Sequence, residues 1–218
     1  MLRNKTGRGT TLNIKEIYTS IQGEGIFVGT PCIFVRFQGC NLRCPWCDEP
    51  SSLGFTNKER HLEDIMDEIE AYPHRHVVLT GGEPFAHDNL HKIVFELLNK
   101  GYSLQMETNG TLWNRNLDSI AHDIHITCSP KWTAGFYVHP KILLYLKELK
   151  FVVDDVFSIS VLRSDKFISF LERGCVVLQP ESNKPEFLYK ALSIQKTLLK
   201  DGYTVRVIPQ VHKIIGLK

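Results

Sequence analysis

Seven short apolar runs, separated by segments of helical periodicity, constrain the fold of this 218-residue chain more than any other feature. Most of them lack regular polar alternation, which is typical of strands covered on both faces. Strands that alternate with helices along a chain usually pair in parallel. The predicted strands are Cys32–Phe37, His76–Thr80, Ser103–Glu107, Ile124–Cys128, Leu149–Val153, Cys175–Gln179 and Thr204–Ile208.

Helical patterns fill the intervals between these strands, with apolar residues recurring at helical spacing. Gly101, Gly174 and Gly202 each follow a helical segment and precede a strand, which is the position of a left-handed C-terminal cap. The predicted helices cover residues 62–69, 90–98, 140–147, 165–173 and 185–200.

The number of strand–helix units restricts the architecture. Six or seven units are too few for a closed eight-stranded barrel, which takes about 250 residues. We therefore predict an α/β fold, an open and incomplete parallel (βα)6-type TIM barrel, with a flat doubly wound sheet as the alternative. The sequence contains no internal repeat or linker, so residues 1–218 are expected to form a single domain with residues 1–30 as an N-terminal extension.

Composition and charge exclude several classes of protein. Hydrophobic residues make up 43% and charged residues 23%, which is ordinary for a globular domain. The formal net charge of +2 does not indicate a nucleic-acid partner. The chain start lacks the apolar core of a secretory signal, and no apolar run approaches the roughly 18–20 residues of a membrane helix. We expect a cytoplasmic protein without a membrane or nucleic-acid partner, whose cysteines are ligands or catalysts.

Three of the six cysteines, Cys40, Cys44 and Cys47, lie in one loop after the first predicted core strand. Their C-x3-C-x2-C spacing allows three thiolates to converge on a metal centre. A structural zinc site needs four ligands, and dithiol redox chemistry would use only the C-x-x-C pair. A 4Fe–4S cluster held by three thiolates keeps one iron open for a cofactor. The remaining cysteines, isolated in or after apolar runs, are Cys32, Cys128 and Cys175.

Polar or glycine-rich segments follow the other strands, where the carboxyl ends of parallel strands meet. The Gly-Gly-Glu motif at 81–83 lets the backbone approach a ligand closely. Before the first strand, Gln22 and Glu24 alternate with Gly23 and Gly25 in a loop suited to a polar heterocycle. Arg36 lies on an otherwise apolar strand, where a buried guanidinium needs an anion. Its partner is either the carboxylate of a substrate or a carboxylate of the protein in a structural ion pair, and the sequence leaves both possibilities open.

The cysteine loop after the first strand of a partial barrel resembles that of the radical S-adenosylmethionine (SAM) superfamily. The resemblance implies that Cys40, Cys44 and Cys47 bind a 4Fe–4S cluster and that SAM chelates its fourth iron. Electron transfer then cleaves SAM to methionine and a 5′-deoxyadenosyl radical. The resemblance also implies that Trp46 lies near the adenine and that the Gly-Gly-Glu motif meets the methionine amino group.

From Glu16 to Lys213 the chain looks like a member of the 7-carboxy-7-deazaguanine synthase family, radical SAM lyases of 7-deazapurine (queuosine precursor) biosynthesis. The implied reaction converts 6-carboxy-5,6,7,8-tetrahydropterin into 7-carboxy-7-deazaguanine with release of ammonia. The resemblance implies that the substrate-binding residues are Ile21, Gln22, Gly23, Glu24, Arg36, Thr80 and Glu107. It implies that the SAM-binding residues are Trp46, Asp48, Gly82, Glu83, Ser129, Pro130, Lys131, Gln179, Pro180, Glu181 and Ser182.

One position departs from the family pattern. The family commonly has threonine two residues after the last cluster cysteine, where it ligates a Mg²⁺ ion that touches the substrate, and here this position is Glu49. Glutamate is also a hard oxygen ligand, so Mg²⁺ remains an expected cofactor with Glu49 as its candidate ligand. The resemblance further implies a homodimer, an electron donor such as flavodoxin or ferredoxin, and a chain end near the substrate, which here is Lys218.

Two other functions remain open from the sequence. A radical SAM activase of a glycyl-radical enzyme would share the cysteine loop, but a protein substrate does not require the carboxylate anchor that Arg36 offers. A zinc-binding interaction module would contain neither iron nor sulfide. No catalytic side chain is predicted as such, because the cluster and SAM generate the radical.

Overall fold

The computed structural model describes residues 9–55 and 59–217. The first eight residues of the predicted N-terminal extension and the terminal Lys218 lie outside the described residues. None of the helices in the described ranges is long and apolar enough to cross a membrane. The strands are β1 (Thr11–Leu12), β2 (Ile14–Ile21), β3 (Pro31–Phe37), β4 (Arg60–His61), β5 (His76–Gly81), β6 (Ser103–Thr108), β7 (Ile124–Cys128), β8 (Glu148–Val153), β9 (Val176–Pro180) and β10 (Arg206–Val207). The helices are α1 (Leu62–Glu70), α2 (Leu90–Asn99), α3 (Pro140–Tyr145), α4 (Ile159–Leu162), α5 (Ile168–Glu172), α6 (Pro185–Lys200) and α7 (Val211–Ile214).

Eight of these strands form one sheet in the order β10-β9-β8-β7-β6-β5-β3-β2. From β3 to β10 every neighbouring pair in this sheet is parallel, and β2 runs antiparallel to β3 at one edge. The short strands β1 and β4 pair separately. Because β2 and β10 remain edges, the sheet is open, and the predicted α/β fold with an open parallel sheet is confirmed.

The helices pack on one face of this sheet. Ile33 of β3 and Met106 of β6 belong to the same buried apolar cluster as Ile65 of α1, Leu97 of α2 and Ala191 of α6. A doubly wound sheet carries helices on both faces. On the other face, Lys150 of β8 forms a hydrogen bond with Glu24 in the loop after β2, although four strands separate β8 from β2 in the sheet. The sheet must therefore curve around this face. The architecture is therefore an incomplete barrel, and the flat doubly wound alternative is excluded.

The face enclosed by this curvature is largely polar from β5 to β8. Alternate residues of these strands point toward the helices and toward the enclosed space, as the pleat of a strand requires. The expectation of strands without polar alternation is therefore corrected for this part of the sheet. The polar positions on the enclosed face are His76, Thr80, Ser103, Gln105, Glu107, His125, Thr127, Glu148 and Lys150.

The described part of the N-terminal extension contributes one strand to the sheet. Ile14–Ile21 forms the edge strand β2, with a register shift between Ile14 and Glu16, and the predicted loop with Gln22 and Glu24 follows it. The β-branched and aromatic residues of β2 favour a strand. The last predicted strand is reduced to Arg206–Val207, whereas the predicted helix at 185–200 coincides with α6.

Candidate active site

A cavity of about 410 Å³ opens at the carboxyl ends of the parallel strands. Most of the residues predicted to contact the cluster, SAM or substrate line its wall. The N-terminal loop, the cysteine loop and several strand ends contribute to this wall. The residues predicted for the cluster, for SAM and for the substrate therefore line one cavity. The predicted residues found there are Ile21, Gln22, Glu24, Arg36, Cys40, Cys44, Trp46, Cys47, Asp48, Glu49, Thr80, Gly82, Glu107, Ser129, Lys131 and Gln179.

Other predicted site residues do not line the cavity. Glu83 is fully buried, and its carboxylate accepts hydrogen bonds from Asn109 N (2.7 Å) and Thr108 Oγ1 (2.8 Å). It therefore braces the end of β6. Gly23 packs against His212, because a Cβ at Gly23 would lie 2.2 Å from His212 Nδ1. The predicted residues away from the wall are Gly23, Glu83, Pro130, Pro180, Glu181 and Ser182.

The cysteine loop leaves the end of β3 and returns to a short turn at 50–52. Cys40 N donates to Leu53 O (3.1 Å), which ties the two ends of the loop together. All cysteines of the chain are free thiols. Burial raises the pKa of Cys40 and of Cys47.

The three thiols fit a 4Fe–4S cluster better than a zinc ion. In residues 9–55 and 59–217, no three His, Cys, Asp or Glu side chains are close enough together to hold one metal ion. A structural zinc site requires such a group. The thiolates of a 4Fe–4S cluster bind different irons and need only surround the cluster. Cys40, Cys44 and Cys47 share one cavity wall, as that arrangement requires.

The cysteine loop rests on the turn that follows β7. Trp46 stacks on Trp132 with 5.0 Å between ring centroids, and Trp132 Nε1 donates to Asp154 Oδ2 (2.9 Å). Cys44 Sγ lies 3.6 Å from Thr133 Oγ1. Sequence reasoning missed the role of Trp132, although it directly follows the predicted Ser-Pro-Lys segment. The stack orients the indole of Trp46 on the cavity wall.

Arg36 is held on one side by the edge strand β2. Its Nε donates to Glu16 Oε1 (2.8 Å), and its Nη2 donates to Tyr18 Oη (2.8 Å). Glu49 Oε2 lies 4.0 Å from Arg36 Nε. The structural ion pair considered from the sequence is therefore present. Arg36 nevertheless lines the cavity, so the pair orients its guanidinium there.

Lys150 is a cavity residue that sequence reasoning missed. Its ammonium group forms a hydrogen bond with Glu24 Oε2 and lies 3.6 Å from Glu107 Oε1. Burial opposes the ionisation of Glu24, but Lys150 and Gln210 lower the pKa of this carboxyl to about 2. The alternation Glu148-Leu149-Lys150-Phe151 was the available signal, because it places polar residues on one face of β8.

The C-terminal segment closes one side of the cavity. Gln210 Nε2 donates to Glu24 Oε1 (2.8 Å) and to Asp48 Oδ2 (2.6 Å), so it bridges the N-terminal loop and the cysteine loop. Lys213 Nζ donates to Asp48 Oδ1 (2.6 Å). Leu217 also lines the cavity. The prediction for the chain end itself concerns Lys218, which lies outside the described residues.

Comparison with known proteins places this geometry in a family. The radical SAM superfamily model matches residues 34–173. The chain is 58% identical to the 7-carboxy-7-deazaguanine synthase of Aquifex aeolicus (strain VF5) over 219 residues, which cover 100% of both chains. The chain belongs to the 7-carboxy-7-deazaguanine synthase family of radical SAM enzymes.

Two solved structures agree with this membership. The crystal structure of QueE from Escherichia coli matches with a TM-score of 0.74 and 30% identity, over 93% of this chain and 94% of that chain. Streptococcus suis SuiB bound to S-adenosylmethionine matches with a TM-score of 0.56 and 15% identity, over 79% of this chain and 45% of that chain, which shows the shared fold alone.

Membership in the 7-carboxy-7-deazaguanine synthase family decides between the functions left open by the sequence. The chain is a radical SAM lyase, and the superfamily implies a 4Fe–4S cluster and SAM as its cofactors. The zinc-binding interaction module and the glycyl-radical activase are thereby set aside. The three thiols on the cavity wall are the residues that would hold the cluster.

The buried carboxyl of Glu83 should make stability depend on pH. Burial raises its pKa from 4.5 to about 7, against hydrogen bonds from Asn109 and Thr108 that lower it. The folded state then binds an extra proton between these two pH values, so stability falls as pH rises through this window. Glu83→Gln cannot ionise, so wild type should lose on the order of 3 kcal/mol relative to this variant between pH 4.5 and 7.

Urea unfolding of both proteins at several pH values within this window measures the difference in the free energy of unfolding. Contributions from other titrating groups cancel in this difference. A difference that stays constant with pH would contradict the raised pKa of Glu83.

Proposed function

We propose that this protein converts 6-carboxy-5,6,7,8-tetrahydropterin into 7-carboxy-7-deazaguanine and ammonia. One observation supports this proposal above the others: a single cavity joins three free thiols to the guanidinium of Arg36 and to two partly buried carboxylates, Glu24 and Glu107. A cluster and SAM bound at the thiols would then face a site with groups for both a carboxylate and a polar ring. The 58% identical relative bears the name of the same synthase.

The residues of the chain would bind the substrate and hold its reacting carbon still. The cluster and SAM, when bound, would supply the carbon radical needed to take a hydrogen atom from C6 of the substrate. Arg36 would hold the substrate carboxylate through its planar guanidinium. Gln22, Thr80 and Glu107 are linked by hydrogen bonds and would fix the pterin ring. Such fixation matters because a misplaced radical reacts at the wrong atom.

An anaerobic assay tests this function directly. The reconstituted protein is given SAM, a reductant and 6-carboxy-5,6,7,8-tetrahydropterin, and 7-carboxy-7-deazaguanine and ammonia are quantified. We expect one ammonia for each product and many products for each SAM, because the abstracted hydrogen returns and SAM acts catalytically. Absence of this product from a cluster-loaded protein that cleaves SAM would overturn the proposal.

We further propose Mg²⁺ as a cofactor with Glu49 as its ligand. Glu49 lines the cavity, and its carboxylate supplies the hard oxygen that Mg²⁺ prefers. Lys15 Nζ donates to Glu49 Oε1 (2.6 Å), and Ser51 Oγ also donates to this oxygen. The ion would therefore compete with the ammonium of Lys15 for Glu49.

This competition predicts opposite effects of two substitutions. Glu49→Gln should raise the Mg²⁺ concentration needed for half-maximal activity by roughly tenfold or more, whereas Lys15→Met should lower it. The measurement is a Mg²⁺ titration of activity after removal of divalent ions by a chelator, with SAM affinity as the control. An unchanged titration in Glu49→Gln would remove Glu49 as the ligand.

The remaining proposals concern assembly and partners. We propose a homodimer and an electron donor such as flavodoxin or ferredoxin, both inferred from the family. We also propose a cytoplasmic location, supported by the six free thiols, which persist in a reducing compartment.

A further inference from the structure

A buried cluster of charges lies in the barrel between the N-terminal loop and β8. Lys150 is 5% exposed and lies between two carboxylates, forming a hydrogen bond with Glu24 and approaching Glu107 to 3.6 Å. Glu148 precedes it by two residues on the same strand face, and Lys131 lines the same cavity from the end of β7. One ammonium group therefore stands between two carboxylates that face the substrate cavity.

Both carboxylates are held in place by neutral donors as well. Gln210 Nε2 donates to Glu24 Oε1 (2.8 Å). Thr80 Oγ1 donates to Glu107 Oε2 (2.7 Å), and Gln22 Nε2 donates to Glu107 Oε1 (3.3 Å). A carboxylate has about four acceptor sites, so each retains capacity for a ligand. A buried carboxylate without a cation nearby would take up a proton instead.

We propose that Lys150 is a specificity-determining positioning residue, whose ammonium group holds the carboxylates of Glu24 and Glu107 as paired acceptors for the 2-amino edge of a pterin ring. This inference rests on the proposed function. A 2-amino-4-oxopyrimidine edge presents adjacent N–H donors, which a carboxylate matches in two parallel bonds. A 2-oxo ring would present an oxygen to the same carboxylate and would be rejected by repulsion.

Removing the ammonium group should change what the carboxylates can accept. Without Lys150, Glu24 loses the cation that does most to lower its pKa, and Gln210 and His212 are left to oppose the effect of burial. The other titratable groups that face this cluster are Lys131, Glu148 and, beside Glu107, Tyr18. Glu24 then takes up a proton more readily and becomes a donor that opposes the 2-amino group. Higher pH removes this proton and restores the acceptor.

The test compares two unreactive ligands on the cluster-loaded full chain. 6-Carboxypterin keeps the 2-amino group, and 6-carboxylumazine carries a 2-oxo group instead. For the wild type, we expect a preference of roughly 100-fold or more for 6-carboxypterin. For Lys150→Met, we expect 6-carboxypterin affinity at pH 7 to fall roughly 30-fold or more, the preference to shrink to less than about tenfold, and affinity to rise with pH. SAM affinity should not change.

Three further variants keep the inference testable if Lys150→Met does not fold. Lys150→Arg keeps the charge and should retain most of the preference. The double variant Lys150→Met with Glu24→Gln removes both charges, so it should fold but still lose the preference. Lys100→Met, which removes a surface partner of Glu70 (2.8 Å), is the matched control and should behave as wild type.

The inference would be overturned if folded Lys150→Met kept the full wild-type preference for 6-carboxypterin over 6-carboxylumazine. If Lys150→Met does not fold, the same result in the double variant, Lys150→Met with Glu24→Gln, would overturn it. Failure of the proposed function would look different, since the wild type would then produce no 7-carboxy-7-deazaguanine.

Discussion

Replacement of any one of Cys40, Cys44 and Cys47 by Ala is expected to abolish SAM cleavage. Each thiol lies on the wall of the same cavity, and a cluster with only two thiolate ligands loses a bond to one of its irons. The measurements are iron and sulfide content, the absorbance of the reconstituted cluster, and 5′-deoxyadenosine release under reducing conditions. A variant that kept its iron and full SAM cleavage would show that the ligand assignment is wrong.

Cys32→Ala and Cys175→Ala are the matched controls for this prediction. Cys32 is fully buried against Phe34 and Val78, and burial raises its pKa to about 12, so it remains a neutral thiol. Its removal should cost roughly 1–2 kcal/mol of folding stability and leave SAM cleavage intact. Cys175 Sγ donates to Phe170 O (3.4 Å), and Cys175 does not line the cavity, so its replacement should also leave SAM cleavage intact.

Arg36→Lys is expected to weaken substrate binding by roughly 30-fold or more. A lysine keeps the positive charge but lacks the planar fork that binds a carboxylate through two bonds. Loss of one member of a buried charge-assisted pair is worth about 2–5 kcal/mol. The structure adds that Glu16 and Tyr18 orient this fork by accepting hydrogen bonds from two of its nitrogens, and the single nitrogen of lysine cannot reproduce that arrangement. The cluster and SAM should still bind, because their predicted contacts belong to other residues.

The measurement is the Kd of 6-carboxypterin for cluster-loaded wild type and Arg36→Lys, with SAM affinity determined in parallel. Arg163→Lys is the control, since Arg163 pairs with Asp201 on the surface. If the Kd were the same in wild type and folded Arg36→Lys, Arg36 would serve only its ion pair with Glu16. The case for a carboxylated substrate would then rest on the family alone.

Most of the fold could be predicted from local patterns. The apolar runs and the helical stripes indicated the parallel strands and the main helices, because burial on the helix side imposes a regular spacing along the chain. Gly174, predicted as a left-handed cap between α5 and β9, has a φ of +65°. The edge strand Ile14–Ile21 was missed, because its polar residues and the following glycines favoured a loop interpretation.

The candidate site was predicted in part, and the omissions have one cause. Cys40, Cys44 and Cys47 were evident because their role depends on spacing within one loop. Lys150 and Gln210 were not: the alternation along β8 places Lys150 on a polar strand face, but no local pattern identifies its partners or those of Gln210. Both become meaningful only beside residues far away in the chain.

The sequence by itself determined the cysteine loop, the order of strands and helices, and the family to which both belong. These properties depend on neighbours within a few residues, which covalent spacing controls. Only the tertiary structure decided that Lys150 meets Glu24 and that Gln210 bridges Glu24 and Asp48. These partners are 126, 186 and 162 residues apart. The curved parallel sheet brings their strand ends to one cavity, and that closeness follows from the sheet order rather than from any local pattern.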